Sequence, residues 1–330
     1  MSIKEFIERF SGLLSPLEWY DSREVRTMAS YLLKEVASIE SYKIIVSPEM
    51  ELEPETAARL LSVAEEMATG CPMQYALGYE YFCGHKFKVK EGVLIPRPET
   101  EELVRLVVDD VAGEKNVVAI PLKILDICTG SGCIAWSLAS ALPQSRVWGC
   151  DVSDKALGVA ESQIIGGMES CAGAAGSRIQ RCSFFKCDIL GDNALDVISN
   201  ACGAGADCAG NCGFDVIVSN PPYVCEQERE QMRPNVLDFE PELALFVPDD
   251  DPLLFYKRIA ELSVQMLKKS GRLYFEVNER FAKETASVME ACGFEEVAVV
   301  KDMFGKERMV KGERRDLEIF CEISGFVVIY

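Results

Sequence analysis

At 330 residues, with 48% hydrophobic and 26% charged side chains, the chain is long enough for one large domain plus a smaller one and buries a core without staples. A net charge of −19 disfavours a phosphate backbone as partner unless a local basic face overrides it. No apolar run reaches the ~18 residues of a membrane span, and Met1-Ser2-Ile3-Lys4-Glu5-Phe6 has neither a signal-peptide core nor an Arg-rich transit character, so no membrane partner is expected and the cytoplasm is the expected address.

From Ile3 to Gly70 apolar residues recur at helical spacing: Ile3, Phe6, Phe10 and Leu14, then Val25, Met28, Leu32 and Val36, then Leu60, Val63, Ala64 and Met67. Asp21-Ser22 and Pro54 mark helix starts and Gly70 a stop, which predicts a small helical bundle. Its role is either a structural cap or a docking surface for a macromolecular substrate. Cys71 to Gly78 breaks the helical pattern, and Tyr81-Phe82 followed by Phe87-Lys88-Val89 alternates like a short β-hairpin. His85 is the only histidine, so a Ser-His-Asp or Cys-His engine would rest on that residue alone and is not expected. Val93 to Glu101 holds Pro96 and Pro98, apolar residues before them and charged ones after. It reads as an ordered wall of a site, with Glu99 or Thr100 starting a helix through Leu103, Val107 and Val108.

Residues 124 to 323 alternate between strands and helices. Ile124 to Cys128 is a buried strand, Thr129-Gly130-Ser131-Gly132 a tight turn, and Cys133 to Ala141 the helix after it. Arg146 to Asp151 is a second strand ending on an acid, about 20 residues beyond the turn, which suits a carboxylate that hydrogen-bonds a ribose diol. Phe184 to Asp188 ends on another acid; Phe214 to Ser219, Arg272 to Val277 and Val297 to Lys301 complete six strands. No Lys follows the glycine turn, as a P-loop requires, and Ala135 and Trp136 stand where a hydride-transfer fingerprint has its third glycine. What remains is a turn that admits a cofactor without a pyrophosphate cradle, and this points to S-adenosylmethionine. Its sulfonium suits an acidic pocket.

The fourth strand runs into Asn220-Pro221-Pro222-Tyr223, at the carboxyl edge where open α/β sheets hold ligands. The amide oxygen of the Asn220 side chain and the Pro221 carbonyl can accept the two N–H hydrogens of a planar NH2 group and present its nitrogen to a methyl donor. The prolines stiffen the turn, and Tyr223 offers a flat face to the substrate.

Two Gly-rich inserts, Gly166 to Arg181 and Asn200 to Gly213, read as surface loops. Cys202, Cys208 and Cys212 lack a Cys-x2-Cys pair and a nearby His, so no metal site is expected. Several of the fourteen cysteines, Cys128 and Cys150 among them, sit in apolar runs and read as buried reduced thiols.

The glycine turn, Asp151, Asn220 to Tyr223 and Ile95-Pro-Arg-Pro-Glu-Thr-Glu101 occur together and in order. With them the chain resembles the peptide chain release factor N5-glutamine methyltransferases (the HemK/PrmC family) over roughly residues 70 to 312. Pro72-x-Gln74-Tyr75-x-x-Gly78, Phe82, Phe239-Glu240-Pro241-x-x-Ala244-Leu245, and Lys301-Asp302 leading to Arg308 add to the match.

The resemblance implies an α/β fold of the class I S-adenosylmethionine-dependent methyltransferases, Rossmann-like with a mostly parallel sheet, and a small N-terminal helical domain. It implies methylation of the side-chain amide nitrogen of the Gly-Gly-Gln glutamine in release factors. Cys128, Thr129, Gly130, Ser131 and Gly132 would contact the methionine part of the donor, Asp151 its ribose, and Asp188 and Ile189 its adenine, with Asn220 beside it. Asn220, Pro221, Pro222 and Tyr223 would hold the glutamine, inside a wall of Phe82, Arg97 and Glu99. The expected organisation is a docking domain at 1–72, a hairpin and linker at 73–101, a catalytic domain at 102–312 and an extension at 313–330, in a monomer. The extension is an added edge strand or an oligomer contact. Cys128 stands where the family has glycine, so a side chain occupies a position of close approach.

Two other readings use the same residues. An N-methyltransferase acting on the exocyclic amine of adenine or guanine would stack a flipped base on Tyr223, but the net charge and the lack of a Lys/Arg cluster oppose it. A non-catalytic module that kept the fold is opposed by intact Gly130, Asp151 and Asn220.

Overall fold

The computed structural model describes residues 1–113, 121–165, 168–169, 181–203 and 213–315. Most of both Gly-rich inserts, Cys208 and Cys212, and the tail beyond 315 lie outside the described residues.

Three long helices, with a short one at Ser41–Val46 between the last two, open the chain: α1 (Ile3–Leu14), α2 (Ser22–Ala37) and α3 (Pro54–Ala68). Ser2 and Asp21 start the first two by reciprocal capping, in which Ser2 Oγ accepts from the Glu5 N–H and Glu5 Oε2 from the Ser2 N–H. Ile3, Phe6, Phe10 and Leu14 repeat at three and four residues, so they form one stripe, buried against Leu32, Leu33, Leu60 and Met67. The cluster continues through Ala76 and Leu77. After it Tyr79–Phe82 and His85–Lys88 pair as an antiparallel hairpin, with Phe82 opposite His85. Helix α4 (Pro98–Ala112) begins one or two residues earlier than its sequence suggests. Arg97 is the residue before the first turn and Pro98 its first member, because proline's fixed φ and missing N–H suit that position. Thr100 is therefore inside the first turn, and buried.

Seven strands make one sheet: β1 (Lys123–Ile127), β2 (Arg146–Asp151), β3 (Cys182–Lys186), β4 (Phe214–Ser219), β5 (Leu267–Glu276), β6 (Phe294–Lys301) and β7 (Glu307–Arg314). Helices α5 (Cys133–Ala141), α6 (Asp154–Glu161), α7 (Leu254–Met266) and α8 (Ala282–Ala291) connect them. In space the order is β3-β2-β1-β4-β5-β7-β6, and only β7 runs antiparallel to its neighbours. The apolar runs of β1, β2 and β4 are covered on both faces, one by Leu103, Val107 and Trp136, the other by Tyr256, Ile259 and Ala260. Burying each of the large side chains among them contributes roughly 1.5–3 kcal/mol.

Three strands start earlier than their periodicity indicates, at Cys182, Leu267 and Phe294; β3 also stops at Lys186, two residues short of Asp188, and β7 is absent from the sequence reading altogether. The pattern Glu-Arg-Met-Val-Lys-Gly-Glu-Arg carries few apolar residues. It is held as a strand by its two neighbours and by lateral charges, with Lys311 on Asp110 of α4 at 2.7 Å and Glu313 on Arg272 at 3.3 Å.

Candidate active site

Strand order reverses between β1 and β4, so their carboxyl ends diverge around a crevice. Ser219, the last residue of β4, is buried and its Oγ donates to the Ile127 carbonyl at 2.6 Å, which joins the two strand ends. Asn220 is next, and lines a cavity of about 240 Å³ together with Cys128, Gly130, Asp151, Asp188, Ile189 and Pro222.

Of the five-residue turn after β1, only Cys128 and Gly130 line that cavity. A side chain on Gly130, at φ +55°, would meet open space, as a position facing a ligand requires. Gly132 serves packing: a Cβ there would stand 3.0 Å from the Ala160 Cβ and 3.1 Å from Trp136. Thr129 and Ser131 turn inward. Thr129 Oγ1 donates to Asp126 Oδ2 at 2.5 Å, and the Ser131 carbonyl accepts from Gln163 Nε2 at 3.1 Å. Cys128 adopts φ +61°, in the left-handed region. Burial pushes its thiol far up, so it stands in the turn as a neutral, apolar group.

Asp151 ends β2 with both oxygens engaged, Oδ2 by the Gly130 N–H and Oδ1 by the Ser153 N–H, each at 2.9 Å. Burial raises its pKa, against the pull of those N–H donors. A desolvated carboxylate still has lone pairs for hydroxyl donors, the chemistry of a ribose diol. Beyond it Val152, Ile189, Leu243 and Phe255 form apolar walls for a flat ring, with the Asp188 carboxylate beside them. These residues fit S-adenosylmethionine.

The outer wall comes from two distant stretches, Gly92-Val93-Leu94 and Pro241, Leu243 and Ala244. Glu240 fastens one to the other. Its buried carboxylate accepts from Arg97 Nη2 at 2.6 Å and from the Ile95 N–H at 3.2 Å. Arg97 thus directs its charge to Glu240 and does not line the cavity. Phe82 does not line it either. On the hairpin it shares the inward face with Phe87, 5.9 Å away and edge-on, and packs under α4 and α5. Glu99 is half-buried and its charge bears on Glu276. Pro221 is buried. Tyr223 is half-buried, its hydroxyl donating to Glu276 Oε1 at 3.1 Å.

Three functional candidates escape the sequence reading: Thr100, Glu240 and Glu276. Asp151 ends β2 as expected, while Asp188 lies two residues beyond the end of β3; the strand-end rule applied to β5 singles out Glu276. Thr100 and Glu240 stand in stretches that carry the family resemblance, but nothing local gives either a role, because their partners lie 176 and 145 residues away.

A Rossmann-like sheet in this order, with an acid ending β2 and Asn-Pro-Pro-Tyr following β4, defines a class I S-adenosylmethionine-dependent methyltransferase. The family described as PrmC N-terminal domain matches residues 17–78, and that described as Eco57I restriction-modification methylase matches residues 148–294. The release factor glutamine methyltransferase of Flavobacterium psychrophilum is 37% identical over 94% of this chain and 99% of its own. That of Bacteroides thetaiotaomicron is 38% identical over 89% and 95%. A solved protein-(glutamine-N5) methyltransferase from Alicyclobacillus acidocaldarius aligns with 70% of this chain and all of its own, at 24% identity and a TM-score of 0.38. The chain belongs to the release factor glutamine methyltransferase family.

Proposed function

We infer that this enzyme uses S-adenosylmethionine to methylate the side-chain amide nitrogen of a release-factor glutamine, in its Gly-Gly-Gln motif. The observation that carries the reading is the position of Asn220, on the cavity wall beside the cofactor turn, with its Nδ2 already bonded inward to Thr100 Oγ1 at 3.3 Å. Its Oδ1 is left to accept one N–H of the substrate amide, and the Pro221 carbonyl is assigned the other. The bound donor supplies an electrophilic methyl group. The protein's own residues orient the amide nitrogen, exclude water and leave the departing proton a path along these acceptors.

We assign Cys128, Gly130, Asp151, Asp188 and Ile189 to the donor, and Asn220, Pro222 and Tyr223 to the substrate side. Residues 1–72 are proposed as the dock for the release factor. Arg233, on the segment that follows Tyr223, pairs with Glu24 of α2 at 2.8 Å, which ties the bundle to the site's rim. A protein substrate, and no nucleic acid, accords with the charge of −19, and the restriction-methylase match stops short of the whole chain. We propose a monomer working in the cytoplasm, where release factors act. Among the described residues no helix is long and apolar enough to cross a membrane.

The test is mass spectrometry of a release factor incubated with the enzyme and S-adenosylmethionine. One added methyl on the Gly-Gly-Gln glutamine is expected. Methylation appearing on tRNA, rRNA or DNA instead, with that glutamine unchanged, would overturn the reading.

A further inference from the structure

Glu276 is the last residue of β5 and is 1% exposed. Its Oε2 accepts from Thr100 Oγ1 at 2.6 Å and its Oε1 from the Tyr223 hydroxyl at 3.1 Å. Asn220 Nδ2 donates in turn to Thr100 Oγ1. One buried carboxylate therefore reaches both ends of Asn220-Pro221-Pro222-Tyr223, the tyrosine directly and the asparagine through a hydroxyl. The frame around it is fixed as well: Tyr256 donates to the Glu276 carbonyl at 3.1 Å, and Asn278 Nδ2 to the Tyr223 carbonyl at 3.2 Å. Burial raises the pKa of this carboxyl, whereas the two hydroxyls that donate to it, Thr100 and Tyr223, and the charge of Arg308 pull the other way and favour the ionised carboxylate.

A hydroxyl has one proton and two lone pairs, whereas a carboxylate has only lone pairs. At 2.6 Å the Thr100 proton must point at Glu276. What Thr100 offers Asn220 is then a lone pair. An asparagine's oxygen and nitrogen are told apart by the bonds around them, and this network permits one choice. The NH2 faces Thr100, and trigonal geometry turns the C=O to the other side, where Asn220 borders the cavity.

We propose that Thr100 and Glu276 are positioning residues for methyl transfer: together they lock the Asn220 amide with its NH2 inward and its C=O toward the substrate nitrogen. The proposal rests on the role given to Asn220 above. With the relay broken, the amide is free to flip and to set its own N–H groups against those of the substrate. Donor then meets donor, and the glutamine nitrogen loses its anchor. Neither residue touches substrate: Thr100 acts through Asn220, and Glu276 through Thr100 and through Tyr223.

The experiment compares Thr100→Val, which keeps the shape and removes the hydroxyl, with Thr100→Ser, which restores it. Wild type and variants are assayed on an intact release factor, with S-adenosylmethionine affinity measured by calorimetry. For Thr100→Val, kcat is expected to fall roughly tenfold to a hundredfold. KM for the release factor and the donor Kd should stay near wild type, and Thr100→Ser should recover most of the lost kcat. If Thr100→Val does not fold, Thr100→Ala enters the same comparison. A kcat for the hydroxyl-free variant equal to wild type would overturn the relay, as would a Thr100→Ser no better than Thr100→Val. A wild type that leaves the glutamine unmethylated would remove the reading of the site, and the relay with it.

Discussion

Asp151 Oδ2 accepts the Gly130 N–H at 2.9 Å, so the acid at the end of β2 and the glycine turn after β1 form one unit. Removing the carboxylate loosens the turn and removes the acceptor assigned to the ribose. Hydrogen bonds to charged groups contribute about 1.5–3 kcal/mol. For Asp151→Ala a donor Kd raised roughly tenfold to a hundredfold is expected in a calorimetric titration. Unchanged affinity would withdraw the ribose assignment.

Asn220→Ala separates chemistry from donor binding. The variant should lose nearly all turnover in a radiolabel transfer assay, because the substrate amide loses its acceptor, while S-adenosylmethionine still binds with near wild-type affinity. Turnover close to wild type would show that another group orients the amide.

Cys128, at φ +61°, inverts the ordinary ranking of alanine and glycine. A side chain in the left-handed region costs about 1–2 kcal/mol that glycine avoids. Cys128→Gly should therefore be more stable than Cys128→Ala by about 1 kcal/mol in urea unfolding. The reverse order would mean that the turn carries no strain there.

Asp126 is expected to make stability depend on pH. It is fully buried beneath the turn, its Oδ2 bonded to Thr129 and to the Ala135 N–H, its Oδ1 without a hydrogen-bond partner among the described residues. Burial pushes its pKa from 3.8 up to about 7. The folded-state value is the higher one, so the neutral acid's contribution is fully present below pH 3.8 and is lost as pH rises through about 7. The loss is on the order of 4 kcal/mol. Unfolding free energies measured between about pH 5 and about pH 8 should decline in the wild type and stay flatter in Asp126→Asn. Parallel slopes would assign the dependence to other groups.

Much of this site is legible in the sequence, for physical reasons that differ by residue. Asn220 and Asp151 end apolar strands, and a strand end at the carboxyl edge is local information. Gly130 and Gly132 are visible as a turn, although only the structure separates the one that faces the cavity from the one that Trp136 and Ala160 crowd. Arg97 and Phe82 look like wall residues because of their neighbours in sequence. Their side chains are taken by Glu240 and Phe87, and tertiary pairing of that kind leaves no local trace. The polar strand β7 stays hidden for the same reason, since its stability comes from β5 and β6 on either side.

The position of β7 also bears on how the protein is made. Residues 307–314 are among the last described, yet they lie between β5 and β6, and they bring Arg308 toward Glu276. On the ribosome β6 emerges before the strand that joins it to the sheet, so its pairing waits on the carboxyl-terminal stretch. Truncation before Glu307 would remove a strand from inside the sheet, not from its rim. β6 therefore joins the sheet only after residues 307–314 have left the ribosome.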